Sequence, residues 1–208
     1  MQLYYARGTV AIAVAIALHE AGLEFEPVRL DFKAGEQTRP DYHAINPKGR
    51  VPALVTDSGI LTETAAILDH IADLAPSAGL RPSDPWQAAR MREAMCYLAS
   101  TMHVNHAHKA RGHRWATEDS SFADMKAKSV ETMTASAAHV ETHMLKGPYV
   151  LGETFSLADP YLLVACSWLP GDGVDMAAFA KIRAFVEAMR ARASVAQVIA
   201  DDMIDDML

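Results

Sequence analysis

The chain has 208 residues, of which 50% are hydrophobic and 22% charged, with a net charge of −7. That length holds one large domain or two small ones with real cores, and the even spread of apolar residues excludes a disordered chain. The acidic balance argues against nucleic-acid binding, and no apolar run reaches the roughly 20 residues of a membrane-spanning helix.

Gln2 to Tyr5 reads as a short aromatic strand that Gly8 breaks. Thr9 to Leu18 (TVAIAVAIAL), preceded by Arg7, has the outline of a secretory leader. The strand before it, and His19-Glu20 after it without a small-residue cleavage site, favour a buried first helix instead. That helix runs from Val10 to Ala21 and ends at Gly22, with Thr9 at the N-cap. Pro27 to Phe32 alternates apolar and polar residues as a half-buried strand; Lys33 to Pro40 is a loop, and Pro40 to Ala44 one helical turn. Asn46-Pro47-Lys48-Gly49 composes a turn. Val51 to Thr56 and Ile60 to Thr62 are strands joined at Asp57-Ser58-Gly59, and a helix begins at Thr62 or Glu63 and ends near Leu74. A βαβ unit followed by ββα is the thioredoxin-like arrangement, assigned to residues 1–75.

Residues 76–85 read as a linker, because Ala75 to Pro85 holds three prolines and a glycine in eleven residues. Residues 86–208 read as an all-helical domain. Its helices fall at Trp86 to about Gly112, Phe122 to Leu145, Ser156 to Trp168, Ala177 to Ala191 and Val195 to Ala200. Asp201 to Asp206 is an acidic tail, read as a solvated end. The basic cluster His108 to Arg114 (HKARGHR) is too short to suggest nucleic acid. Two cysteines, Cys96 and Cys166, without a CxxC pair, read as reduced, buried thiols of a cytoplasmic protein.

Chemistry concentrates around Pro52 and Glu63. A proline inside a strand is tolerated as a strand-opening trans residue, or as a cis residue that leaves the main chain of Val51 free to pair with an extended peptide. Glu63-Thr64 stands where a helix N-terminus favours a carboxylate, or where the two residues simply cap the helix. Ser156 and Asp159 have capping-box spacing and read as structural. With Leu3-Tyr4-Tyr5, the Ala17 to Leu23 segment, the Asn46 to Leu54 and Leu61 to Leu68 blocks, and the Tyr149 to Leu162 segment, these residues give a pattern that resembles the cytosolic glutathione transferases, closest to the bacterial beta class.

The resemblance implies glutathione as co-substrate, no metal or organic cofactor, a small hydrophobic electrophile and a homodimer. It implies an extended glutathione beside Val51 and Pro52, its γ-glutamyl carboxylate on Thr64, its amine on Glu63 and its glycyl carboxylate near Lys33. The beta-class cysteine and serine are replaced by Val10 and Ala11, so thiol activation passes to Thr9, read equally as N-cap or thiol donor, with Tyr5 in reserve. His103 matches a family histidine facing the thiol, and Cys96, Ser100, His103 and His106 are spaced to share one helix face, with Asn105 nearby. Met95, Met102, Trp115 and Trp168 are candidates for an apolar wall. The loss of Cys and Ser leaves a second reading open, a glutathione- or ligand-binding protein without turnover.

Overall fold

The computed structural model describes residues 1–205. Its first part comprises β1 (Gln2–Tyr5), α1 (Ala11–Glu20), β2 (Glu26–Arg29), α2 (Pro40–Ile45), β3 (Ala53–Thr56), β4 (Gly59–Thr62) and α3 (Thr64–Leu74). The four strands lie in the order β2-β1-β3-β4, with β1 and β2 parallel and β3 antiparallel to both neighbours. This is the thioredoxin-like arrangement expected from the sequence. Two strands are shorter than expected. β2 gives way at Asp31, whose carboxylate accepts the amides of Lys33 and Ala34 and turns the chain. β3 begins only after Pro52, which has no N–H for the ladder and follows a cis bond from Val51.

α1 is apolar on every side because every side is covered. Ala11 to Leu18 are all 0% exposed, and the helix packs on β1, α3, α7 and α9. The leader-like composition is therefore that of a central core helix. Gly22, at φ 65°, closes it in the left-handed conformation, with Leu23 N donating to Leu18 O at 3.0 Å. The start of α1 departs from expectation. Val10, not Thr9, occupies the cap position, and no side chain caps the helix. The Thr9 hydroxyl instead donates backwards to Ala6 O at 2.6 Å.

The helical part comprises α4 (Pro85–Tyr97), α5 (His103–His108), α6 (Asp119–His139), α7 (Ala158–Ser167), α8 (Ala180–Arg190) and α9 (Ala193–Ala200). A five-residue π-helical stretch, Leu98–Met102, joins α4 to α5. This extra width moves the residues before it out of register with those after it. Cys96 and Ser100 are exposed on the outside while His103 and His106 face inward, so the single face read from their spacing does not form. Met95 and Met102 are buried in the core and line neither the space of about 200 Å³ nor that of about 550 Å³ beside Val10 and His103.

Asp159 behaves as the capping box foretold on one side only. Its carboxylate accepts Ser156 N at 2.7 Å, but it also accepts Ser156 Oγ at 3.1 Å and Val150 N at 2.8 Å. Ser156 thus serves the carboxylate rather than capping the helix. Burial pushes the Asp159 carboxyl up to about 6, against the pull of these three donors.

The acidic tail is not a solvated end. Met203 and Ile204 are buried, Asp202 and Asp205 pair with Arg7, and Met203 O accepts Gly8 N at 2.9 Å. The tail docks on the segment that leads into α1 because it supplies both apolar anchors and counter-charges for Arg7. Asp206 lies outside the described residues.

Candidate active site

A cleft opens between the two parts of the chain. One wall is the α1 start, the Lys48 to Pro52 segment and the head of α3; the other is α5, the turn at Gly112–Arg114, Tyr161 and Trp168. It has a narrow half of about 200 Å³ and a wide half of about 550 Å³, which share Val10, Lys48, Arg50, Val51, His103 and Arg114.

The narrow half is positioned by local chemistry. The Arg50 carbonyl accepts both Tyr42 Oη and Asn46 Nδ2 at 2.6 Å, which fixes the chain where it enters Val51 and Pro52. Across from it, Glu63 sits at φ 73°, a left-handed backbone that costs a non-glycine residue on the order of 1–3 kcal/mol. Lys48 Nζ bridges Thr62 Oγ1 at 2.7 Å and Glu63 Oε1 at 2.5 Å. Thr64, the first residue of α3, is buried against the cavity.

The wide half is aromatic and cationic. His106 stacks on Trp168 at 4.3 Å between ring centroids, and His103 lies 4.9 Å from the same ring. His106 Nδ1 stands 2.7 Å from Asp172 Oδ2, and the acceptor carboxylate holds a hydrogen on Nδ1 and orients the ring. Lys109 pairs with Asp172 Oδ1 at 3.2 Å and donates to the Gly171 carbonyl. Trp168 Nε1 donates to Gly8 O at 3.0 Å, so Gly8 is held from both sides, by Trp168 and by the tail. That clamp sets the start of α1, where helix amides and the dipole favour an anion.

Of the sequence-predicted site residues, Val51, Pro52, Glu63, Thr64, His103, His106 and Thr9 line the cleft. Three others do not. Tyr5 is 5% exposed, packed in the core, and burial raises its hydroxyl above the ordinary tyrosine range. Asn105 turns to α6, donating to Ser136 Oγ at 3.0 Å and Thr132 O at 3.3 Å. Lys33 is exposed outside both halves. Thr9 reaches the wide half, yet its single hydroxyl proton is committed to Ala6 O. His103 is driven down to about 3, by burial first and then by Arg111, His106, Arg114 and Arg50. It is a neutral imidazole and supplies no positive charge to a thiolate.

Sequence reasoning passed over Lys48, Arg50, Arg111, Arg114 and Tyr161, which all line the cleft. The signal for two of them was the His108 to Arg114 cluster, weighed only against nucleic acid. Among the described residues, no group of three or more His, Cys, Asp or Glu is placed to hold a metal ion. Two larger concavities, of about 660 and 580 Å³, lie elsewhere; the first surrounds the Glu20–Arg192–Ser194 network, and neither touches Val51 or Thr64.

Sheet, cleft and helical wall define a two-part protein, a thioredoxin-like domain facing an all-helical one across a cleft. A family model described as glutathione S-transferase, N-terminal domain, matches residues 1–73. The glutathione S-transferase GST-4.5 of Xanthomonas campestris pv. campestris is 30% identical over 196 residues, covering 94% of this chain and 95% of its own. The crystal structure of a glutathione transferase homologue from Sulfitobacter, with bound glutathione, is 62% identical with a TM-score of 0.96, over 97% of this chain and 98% of that one. A bacterial beta-class glutathione S-transferase from Sphingomonas chungbukensis is 30% identical with a TM-score of 0.85, over 97% and 98% of the two chains. The chain belongs to the glutathione S-transferase family. No described helix is long and apolar enough to cross a membrane.

Proposed function

We propose that this chain joins the thiol of glutathione to an electrophilic carbon, with glutathione in the narrow half of the cleft and the electrophile in the wide half. The observation that carries the reading is the meeting of Val51, Glu63 and Thr64 in one narrow space opposite the start of α1. Glutathione is an extended peptide with an ammonium and a carboxylate at one end. The α3 N-terminus and the Thr64 hydroxyl suit that carboxylate, Glu63 suits the ammonium, and the main chain at Val51 suits the peptide. The left-handed backbone of Glu63 supports a functional position, since such conformations gather at ligand clamps.

With this placement the sulfur comes to the start of α1, where Val10 offers no side-chain donor. Activation then rests on the field rather than on a hydroxyl: the amides and dipole at the start of α1 favour thiolate over a thiol whose ordinary pKa is about 8.5. The proton passes to His106 Nε2 or to water. A sulfur lone pair forms the new C–S bond, and the leaving group departs with the electrons of the bond that breaks. The family resemblance extends this reading to a cytoplasmic homodimer and an electrophile with an apolar body, for which Trp168 and Phe32 supply surface in the wide half, while Trp115 lines the narrow half.

Calorimetric titration with glutathione, combined with conjugation of a chlorodinitroarene, tests the reading. Binding with turnover is expected, and Thr64→Val should weaken glutathione about tenfold. Binding without turnover would leave a glutathione carrier, and no binding at all would remove the assignment.

A further inference from the structure

The wide half of the cleft has an excess of positive charge. Lys48 and Lys109 are answered by Glu63 and Asp172, but among the described residues Arg50, Arg111 and Arg114 enter no ion pair. Among the described residues no carboxylate lines this half; Asp172 stands behind it, against His106 and Lys109. Arg111 and Arg114 are held below the ordinary guanidinium range, by burial first and then by each other or by Arg50, with the Asp172 carboxylate pulling Arg111 the other way. Three cations kept together, with one carboxylate behind them that His106 and Lys109 already share, are unfavourable unless a further anion joins them. In a chain of net charge −7 the general field repels anions, so this local reversal belongs to the cleft and not to the surface as a whole. Beside the arginines lie flat faces, the stacked His106–Trp168 pair and His103. An arginine fork matches a carboxylate in two parallel hydrogen bonds.

We propose that the wide half selects an electrophile with a planar apolar body and a carboxylate, the body on the Trp168 side and the carboxylate on Arg111 and Arg114. This rests on the reading that glutathione fills the narrow half. Glutathione has its own carboxylates, so the test must separate the two. S-Benzylglutathione and S-(para-carboxybenzyl)glutathione differ only in a carboxylate on the part that mimics the electrophile. Titrated into the wild-type chain, the carboxylated conjugate should bind about tenfold tighter. In Arg111→Met/Arg114→Met the preference should fall to within about twofold, while free glutathione affinity stays within about twofold. Arg114→Gln alone, at an exposed position, should lose part of the preference and guards against misfolding of the double variant.

Equal binding of the two conjugates by the wild type overturns the proposal. So does a preference that survives in both variants, or a loss of free glutathione in parallel with it, which would assign the arginines to glutathione itself. Benzoate, titrated alone, separates the two readings. If glutathione fails to bind but benzoate binds and is lost in the variants, the anion subsite stands and the glutathione reading falls; if neither binds, both fall.

Discussion

Replacing Thr9 with valine tests how the thiol is activated. The hydroxyl has one proton, and the structure places it on Ala6 O at 2.6 Å. Valine keeps the shape of threonine and removes that bond. The Ala6 carbonyl still accepts the Thr9 amide at 3.2 Å, so no orphan acceptor is created. The loss should therefore be the net worth of one hydrogen bond, about 0.5–1.5 kcal/mol, a fall in Tm of roughly 2–4 °C per kcal/mol for a chain of this size. Removing a hydrogen-bond donor from a developing or stabilised anion elsewhere costs about a hundred- to a thousandfold in rate. Here kcat/KM for glutathione in the conjugation assay should change less than about threefold, far below that range. Denaturant unfolding and initial rates on the same preparation measure both quantities. A hundredfold fall in kcat/KM with unfolding free energy intact would show that the hydroxyl leaves Ala6 and serves the sulfur, and the reasoning would fail.

Asp159→Ala leaves the amides of Val150 and Ser156 without their acceptor in a fully buried place, at about 1–3 kcal/mol each, so unfolding should show a loss of roughly 2–6 kcal/mol. The same residue gives a signed pH effect. Its folded pKa of about 6 lies above the unfolded value, so its contribution is fully present below pH of about 4 and is lost as pH rises through 6. Asp159→Asn should flatten that part of the stability profile relative to wild type, and an unchanged slope would count against the assignment. Ending the chain after Ala200 removes buried Met203 and Ile204 and the Met203 bond to Gly8. It should cost about 3 kcal/mol or more and lower kcat/KM as well, because Gly8 leads into the start of α1. Asn105→Ala should reduce stability by about 1 kcal/mol through its lost bonds to α6 while leaving glutathione affinity unchanged by titration.

Much of the fold was legible because it is written in local chemistry. Gly22 ends α1 with a positive φ that glycine adopts freely, and Asn46 to Gly49 turns the chain as its composition says, Gly49 N donating to Asn46 O. Val51, Glu63 and Thr64 were legible in the same way, since a proline at a strand and a carboxylate at a helix head carry their meaning in their neighbours. Tyr5 was not, because a strand end does not say which side faces the core. Asn105 and Lys33 were misplaced for related reasons. One depends on where α6 lies, and the other on a loop that Asp31 curls back.

The amino-acid sequence alone determined a thioredoxin-like half, a helical half and an apolar first helix, because periodicity, capping and residue type act over a few positions. Which polar groups share the cleft was decided only by the tertiary structure. The π-helical stretch Leu98–Met102 turned Cys96 and Ser100 outward while His103 and His106 face in; the tail reached across the chain to Gly8; and Arg50, on the sheet side, met Arg111 and Arg114 from the helical side. The physical reason is distance along the chain. Residues some sixty positions apart add their charges in one cleft only after the two halves pack, and no local rule counts that sum.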